Sequence, residues 1–391
     1  MQVTIEHLNW RGEGVGDGQN FRNVLTGETV DNATGQVLQS SPERIEPFCR
    51  YYVKCGGCQL QHWQQVPYQT WKRNLITAAL EKRGINFPVG DIVDAHGAGR
   101  RRVSLHVRCE GGAVLAGFMA ARSHDLIDID QCPILVPALQ NATDIARKLG
   151  NKLGVCDVAL TAADNGLDVS IKAERKIADE QIPRLATLAG ELNLARLNIN
   201  GNMVATRAVP VISIGKALVQ VPPGSFLQAT KAGEEALARL VLASLGKSKF
   251  AADLFCGVGP FALRIAERAK VTAIDSDKPA IASLAQAARL TTGLKPLKAE
   301  VRDLMREPLV ANELKEFDAV VFDPPRAGAE AQARQLAKSN VKTIIAVSCD
   351  PASFARDAEI LVAGGYKLKT LTAVDQFKWT SHVEIVGTFS R

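Results

Sequence analysis

The 391-residue sequence predicts an α/β protein. Its parts are a C-terminal open parallel sheet over 221–391, a central α+β domain over 48–220 and a small β unit over 1–47. Three observations lead there. From Phe250 to the end, strand-like and helix-like stretches alternate, the mark of a parallel sheet covered by helices on both sides. The first 47 residues are punctuated by Gly12, Gly14, Gly16 and Gly18 too often for helices to persist. The hydrophobic share of 46% is ample for the cores of two or three domains.

Composition narrows the class of function. No run approaches the ~20 apolar residues of a membrane span, and the segment from Met1 to Gly14 lacks the apolar stretch of a leader, so a cytoplasmic protein without a membrane partner is expected. A formal charge of +6 suits a polyanionic partner such as nucleic acid. Eight cysteines, three of them between Cys49 and Cys58, point to metal ligation rather than disulfides in a reducing compartment.

In chain order, Val3 to Ile5, Val24-Leu25 and Thr29-Val30 look like short strands, and Ser40-Ser41-Pro42 closes the unit with a turn. Cys49, Cys55 and Cys58 follow in a C-x5-C-x2-C spacing. Gly56 and Gly57 let the backbone fold tightly there. Three soft ligands need a fourth, and Cys132, in the rigid Cys132-Pro133 step, is preferred to Cys109, which ends a strand-like Val103 to Val107. Four thiolates fit tetrahedral zinc or an iron-sulfur cluster, and spacing leaves the two open. Cys109, Cys156 and Cys256 are expected to pack in cores. Apolar positions Trp71, Leu75, Ala78 and Leu80 recur at helical spacing between Tyr68 and Arg83. This helix is the one element before residue 221 expected to pack on the C-terminal domain. Leu115–Met119, Val158–Leu160, Leu167–Ile171 and Leu197–Asn200 look like strands, with a helix over Ile182–Leu192 and another over Lys231–Leu245.

The chemistry gathers at strand ends of the C-terminal half. Asp253-Leu254-Phe255-Cys256-Gly257-Val258-Gly259 joins a first strand to a helix, and Asp275 ends the next strand, where dinucleotide folds hold a ribose hydroxyl. That pattern alone equally admits a nicotinamide oxidoreductase. The strand Phe317–Phe322 runs into Asp323-Pro324-Pro325-Arg326, a stiff loop at the carboxyl edge where open sheets bind ligands. Cys349 ends the following strand at the mouth of a helix, a setting for a nucleophile, and Glu384 starts the last strand, within reach of the same crevice as a base.

These motifs, with Gln61-His62, Ser225-Phe226-Leu227-Gln228, Phe354 to Asp357 and His382-Val383-Glu384, make the chain resemble the RNA uracil-5-methyltransferase family from about residue 3 onward. The resemblance implies a class I, Rossmann-like methyltransferase sheet that uses S-adenosylmethionine (SAM). It makes Cys349 the nucleophile and Glu384 the base. Gln228, Phe255, Gly257, Gly259, Asp275, Asp303 and Asp323 fall at the cofactor. By the same resemblance Cys49, Cys55, Cys58 and Cys132 hold a [4Fe-4S] cluster, with zinc as the alternative, and the N-terminal unit is a shortened TRAM-like module. A 23S rRNA loop is the expected substrate, with the tRNA T-loop second, and the enzyme is expected to be a monomer. Pro260, Asp350 and Lys378-Trp379 depart from the family pattern. The last two border the expected base pocket and give a catalytically silent RNA-binding protein its sequence support.

Overall fold

The computed structural model describes all 391 residues. The N-terminal unit consists of six short strands in two three-stranded sheets. Its core is small: Val3, Ile5, Phe21, Val24 and Val30. Val24 and Leu25 are fully buried but lie in an irregular segment that leads into the Thr26-Gly27 turn rather than in a strand, and the Leu25 N–H donates to the buried Glu28 carboxylate at 2.8 Å.

The central domain is a seven-stranded sheet packed against helices Ala142–Leu153 and Ile182–Glu191. Strands appear where alternation predicts them, over Arg102–Glu110, Ala113–Met119, Cys156–Ala163, Gly166–Ala173 and Leu194–Ile199. Asn200 leaves the last of these for a turn at φ 51°. The hairpin Val211–Ile214 and Ala217–Gln220 behaves differently. Its inward residues Ile212, Ile214, Ala217 and Val219 join the core of the C-terminal domain, with Leu237, Phe261 and Leu284.

The C-terminal sheet has eight strands. In spatial order they are Leu297–Val301, Lys270–Asp275, Phe250–Leu254, Ala319–Phe322, Thr343–Ser348, Glu384–Ser390, Lys367–Asp375 and Val93–Asp94. The first five run parallel, and Glu384–Ser390 is inserted antiparallel between its neighbours. An antiparallel strand begins at the edge where its parallel neighbours end. This reversal brings Glu384, its first residue, to the carboxyl edge beside Cys349.

Two elements from the first hundred residues complete this domain. Val93–Asp94 pairs with the end of Lys367–Asp375, and helix Gln65–Glu81 buries Ile76 and Leu80 in the same core as Phe354, Leu361 and Phe389. The helix is pinned by charge as well. The fully buried Lys72 donates to Asp375 Oδ1 at 2.5 Å, and Tyr68 donates to Asp375 Oδ2 at 2.8 Å.

Candidate active site

The strand ends line up the residues singled out from sequence. Asp303, Asp275, the loop from Phe255 to Gly259, Asp323, Cys349 and Glu384 follow one another along one edge of the sheet. Asp303 lies farthest out, its Oδ1 accepting from the Met305 N–H at 3.1 Å. Asp275 accepts from the Gly257 N–H at 2.8 Å and from the Asp277 N–H at 2.9 Å, which shapes the glycine loop around the carboxylate. Phe255 adopts φ 61°, a costly conformation for an aromatic residue and one that clusters at ligand sites. At Gly259, with φ 89°, an added Cβ would lie 2.4 Å from Leu284, so only glycine fits.

Asp253, beneath this loop, is fully buried with neither carboxylate oxygen paired, and burial pushes its pKa well up. An orphaned carboxylate there calls for a donor from a ligand. In the sequence Asp253 stands out only as part of the glycine loop, and the signal for it is a carboxylate inside an otherwise apolar strand.

Cys349 is half-buried between the strand end at Ser348 and the helix Pro351–Ala363. Asp350 caps that helix, its side chain accepting from the Ser353 N–H at 2.8 Å. Aspartate and asparagine cap comparably, so this departure from the family pattern keeps the local geometry. Burial pushes the Cys349 thiol up to about 11, and the Glu384 and Asp323 carboxylates add to the rise while Arg326 opposes it. Arg326 Nη2 lies 3.2 Å from Nε2 of His382, which burial and the arginine hold low, at about 4, and therefore neutral and able to accept.

A file of hydrogen bonds joins the two carboxylates. Gln228 Nε2 donates to Asp323 Oδ2 at 3.0 Å, and Gln376 Nε2 donates both to Gln228 Oε1 at 2.7 Å and to Glu384 Oε1 at 2.9 Å. Glu384 is buried, and its second oxygen, Oε2, has no partner. Burial raises the pKa of both acids, and the Asp323 charge raises that of Glu384 further. Gln376 is absent from the sequence-based candidates. A single glutamine just past a strand carries no periodic or motif signature.

Lys378 and Trp379, a further departure, are locked in place. Lys378 Nζ pairs with Asp94 Oδ2 at 2.7 Å, and the Trp379 ring lies edge-on to Phe48 at 4.8 Å and to His96 at 5.0 Å. Trp379 O accepts from the Gln59 and Leu60 N–H groups, which ties the loop before Glu384 to the cysteine loop.

Cys49, Cys55, Cys58 and Cys132 line a single cavity of about 140 Å³, with Tyr51, Gln61 and Arg100. Cys55 bridges to Ala120, and an added Cβ on Gly56 would lie 2.9 Å from the Met119 carbonyl oxygen, so the loop lies flush on the central sheet. Tyr51 donates to Asp130 Oδ1 at 2.6 Å and so tethers the loop that carries Cys132. Burial and the neighbouring thiols push Cys58 up to about 11 and Cys132 up to about 12. No three His, Cys, Asp or Glu side chains are drawn together as a single metal ion requires. Of the cysteines expected to pack, Cys156 and Cys256 are buried, but Cys109 is exposed near its hairpin turn and packs in no core.

A family model described as tRNA (uracil-5-)-methyltransferase matches residues 126–390. An RNA methyltransferase of Brucella suis is 44% identical across 100% of this chain and 98% of its own length. The 23S rRNA (uracil(1939)-C(5))-methyltransferase RlmD of Chromohalobacter salexigens is 34% identical across 90% of this chain and 78% of its own. For the fold, the tRNA (uracil-54, C5)-methyltransferase of Pyrococcus abyssi, solved with S-adenosyl-L-homocysteine, covers 100% of this chain at a TM-score of 0.78 and 22% identity. By family match and by identity over most of its length, the chain belongs to the tRNA (uracil-5-)-methyltransferase family.

Proposed function

We propose that this protein methylates C5 of a uracil in RNA through a covalent bond between Cys349 and C6. The observation that carries the reading is the crevice in which the Cys349 thiol and the unpartnered Oε2 of Glu384 share one sheet edge. Uracil C5 is a poor nucleophile until C6 has been attacked, so the chemistry needs a nucleophile first and a base last. Cys349 loses its proton to water and its sulfur bonds to C6, which sends the electron pair toward C5 and O4. Bound SAM supplies an electrophilic methyl group for C5. Glu384 then removes the C5 proton, the C5–C6 double bond reforms, and the C6–S bond breaks to release the thiolate. Asp323, held by Gln228, lies between the cofactor loop and the base and would keep both in register.

The orphaned Asp253 carboxylate and the glycine loop fit SAM, whose ammonium group and ribose hydroxyls are donors. The four cysteine thiols fit a [4Fe-4S] cluster. Lining one cavity, the four cysteines would hold the cluster through their thiolates, with a four-thiolate zinc site as the alternative. Methyl transfer needs no electron, so these residues serve to fold the central domain and to brace the loop at Trp379.

A target base must leave its stack to enter the crevice, which is least costly in a single-stranded loop. The likeness to RlmD favours 23S rRNA, and a tRNA loop is the second reading. No helix is long and apolar enough to cross a membrane. Mapping 5-methyluridine in ribosomal and transfer RNA from cells with and without the protein tests the proposal. A site in 23S rRNA that disappears with the protein supports it; unchanged methylation of both RNAs contradicts it.

A further inference from the structure

We infer that Gln376 is a positioning residue that selects which oxygen of Glu384 acts as the base. Its side chain is fully buried, both amide N–H groups donate and the oxygen accepts once. Nε2 donates to Glu384 Oε1 and to Gln228 Oε1, while its own oxygen faces the Thr230 N–H at 3.4 Å. With Glu384 ionised, as it must be to act as a base, this orientation is the favoured one, since the turned-over amide would set its oxygen against the carboxylate. Glu384 Oε1 is thereby engaged, and Oε2 is the oxygen left without a partner to take a proton. The same amide fixes Gln228, whose Nε2 must then point at Asp323.

The surroundings are built to hold this side chain. Asp375, the preceding residue, is locked by Lys72 and Tyr68 at the end of its strand. Gly233, in the helix Lys231–Ser244, leaves the space the amide fills, since an added Cβ would lie 2.5 Å from Gln376 Oε1. The charged and titratable groups around Glu384 are Asp323 and Arg326 from one loop and Cys349 from the adjacent strand end; beyond Gln376 lies the paired Asp375. Asp323 opposes ionisation of Glu384 and Arg326 favours it, so the Gln376 N–H is the one neutral donor that favours the carboxylate.

The inference rests on the covalent mechanism proposed above, and its test separates the two. RNA with 5-fluorouridine at the target reports attack by Cys349, because fluorine cannot leave as a proton. RNA with uridine reports release by Glu384. Gln376→Met should trap the fluorinated RNA as wild type does, yet release methylated uridine about tenfold to a hundredfold more slowly, with the covalent methylated adduct accumulating. The midpoint of its release-versus-pH profile should rise by about one unit, the loss of one charge-assisted hydrogen bond. Gly233→Ala, which displaces the amide without removing it, should do the same even though alanine favours the helix. It decides the matter if the methionine variant does not fold. Release at the wild-type rate and midpoint in the folded variant would overturn the role of Gln376. If wild-type protein forms no adduct at all, the covalent mechanism fails instead.

Discussion

At the scale of single residues, the site combines a thiol whose pKa is pushed up to about 11 with two carboxyl groups that burial also holds high. Such a resting site is mostly protonated, and Arg326 is the cation that works toward the thiolate. Arg326→Gln is expected to slow adduct formation and move its pH profile to higher pH, as stopped-flow trapping over a pH series would measure. Glu384 also leaves a mark on stability. Its folded pKa lies above the ordinary 4.5, so the folded state holds more protons than the unfolded one, and stability falls as pH rises from about 4.5 through the folded value. Glu384→Gln should flatten that fall and raise the melting temperature at neutral pH in a pH series of thermal scans, while abolishing release. Cys349 and Glu384 were legible as motifs, because a cysteine after an apolar strand and a carboxylate opening another can be placed at one edge by topology alone. Gln376 was not, since its meaning lies in partners distant in sequence.

At the scale of elements, the site depends on how segments terminate. Asp350 caps the helix behind Cys349. Asp350→Ala should cost about 1 kcal/mol in denaturant unfolding, with Asp350→Asn near wild type. The helix Gln65–Glu81 depends on the buried Lys72–Asp375 pair. Lys72→Met should destabilise by about 3–5 kcal/mol because it strands a buried charge, and adding Asp375→Leu should recover most of the loss. Periodicity located this helix, and alternation located most central strands. The two-residue strand Val93–Asp94 and the hairpin over 211–220 escaped assignment to the catalytic sheet and core. Short strands carry little pattern, and their partners are set by tertiary packing.

At the scale of the molecule, the cysteine loop and the loop before Glu384 form one brace. Gln59 and Leu60 bond to Trp379, Phe48 packs on its ring, and the Ser381 N–H donates to Gln59 at 3.2 Å. Protein purified without oxygen is expected to be brown, with iron and sulfide in equal amounts, and Cys58→Ser should lose both. Loss of the metal should also slow the chemical step, since the loop leading to Glu384 loses its support. Colourless protein carrying zinc would reverse the ligand assignment. The most direct test of the whole account is mass spectrometry of the complex with 5-fluorouridine RNA and SAM. A methylated nucleotide covalently attached to the peptide containing Cys349 is expected, and none with Cys349→Ala. An adduct that survives Cys349→Ala, or one mapped to another cysteine, would contradict it.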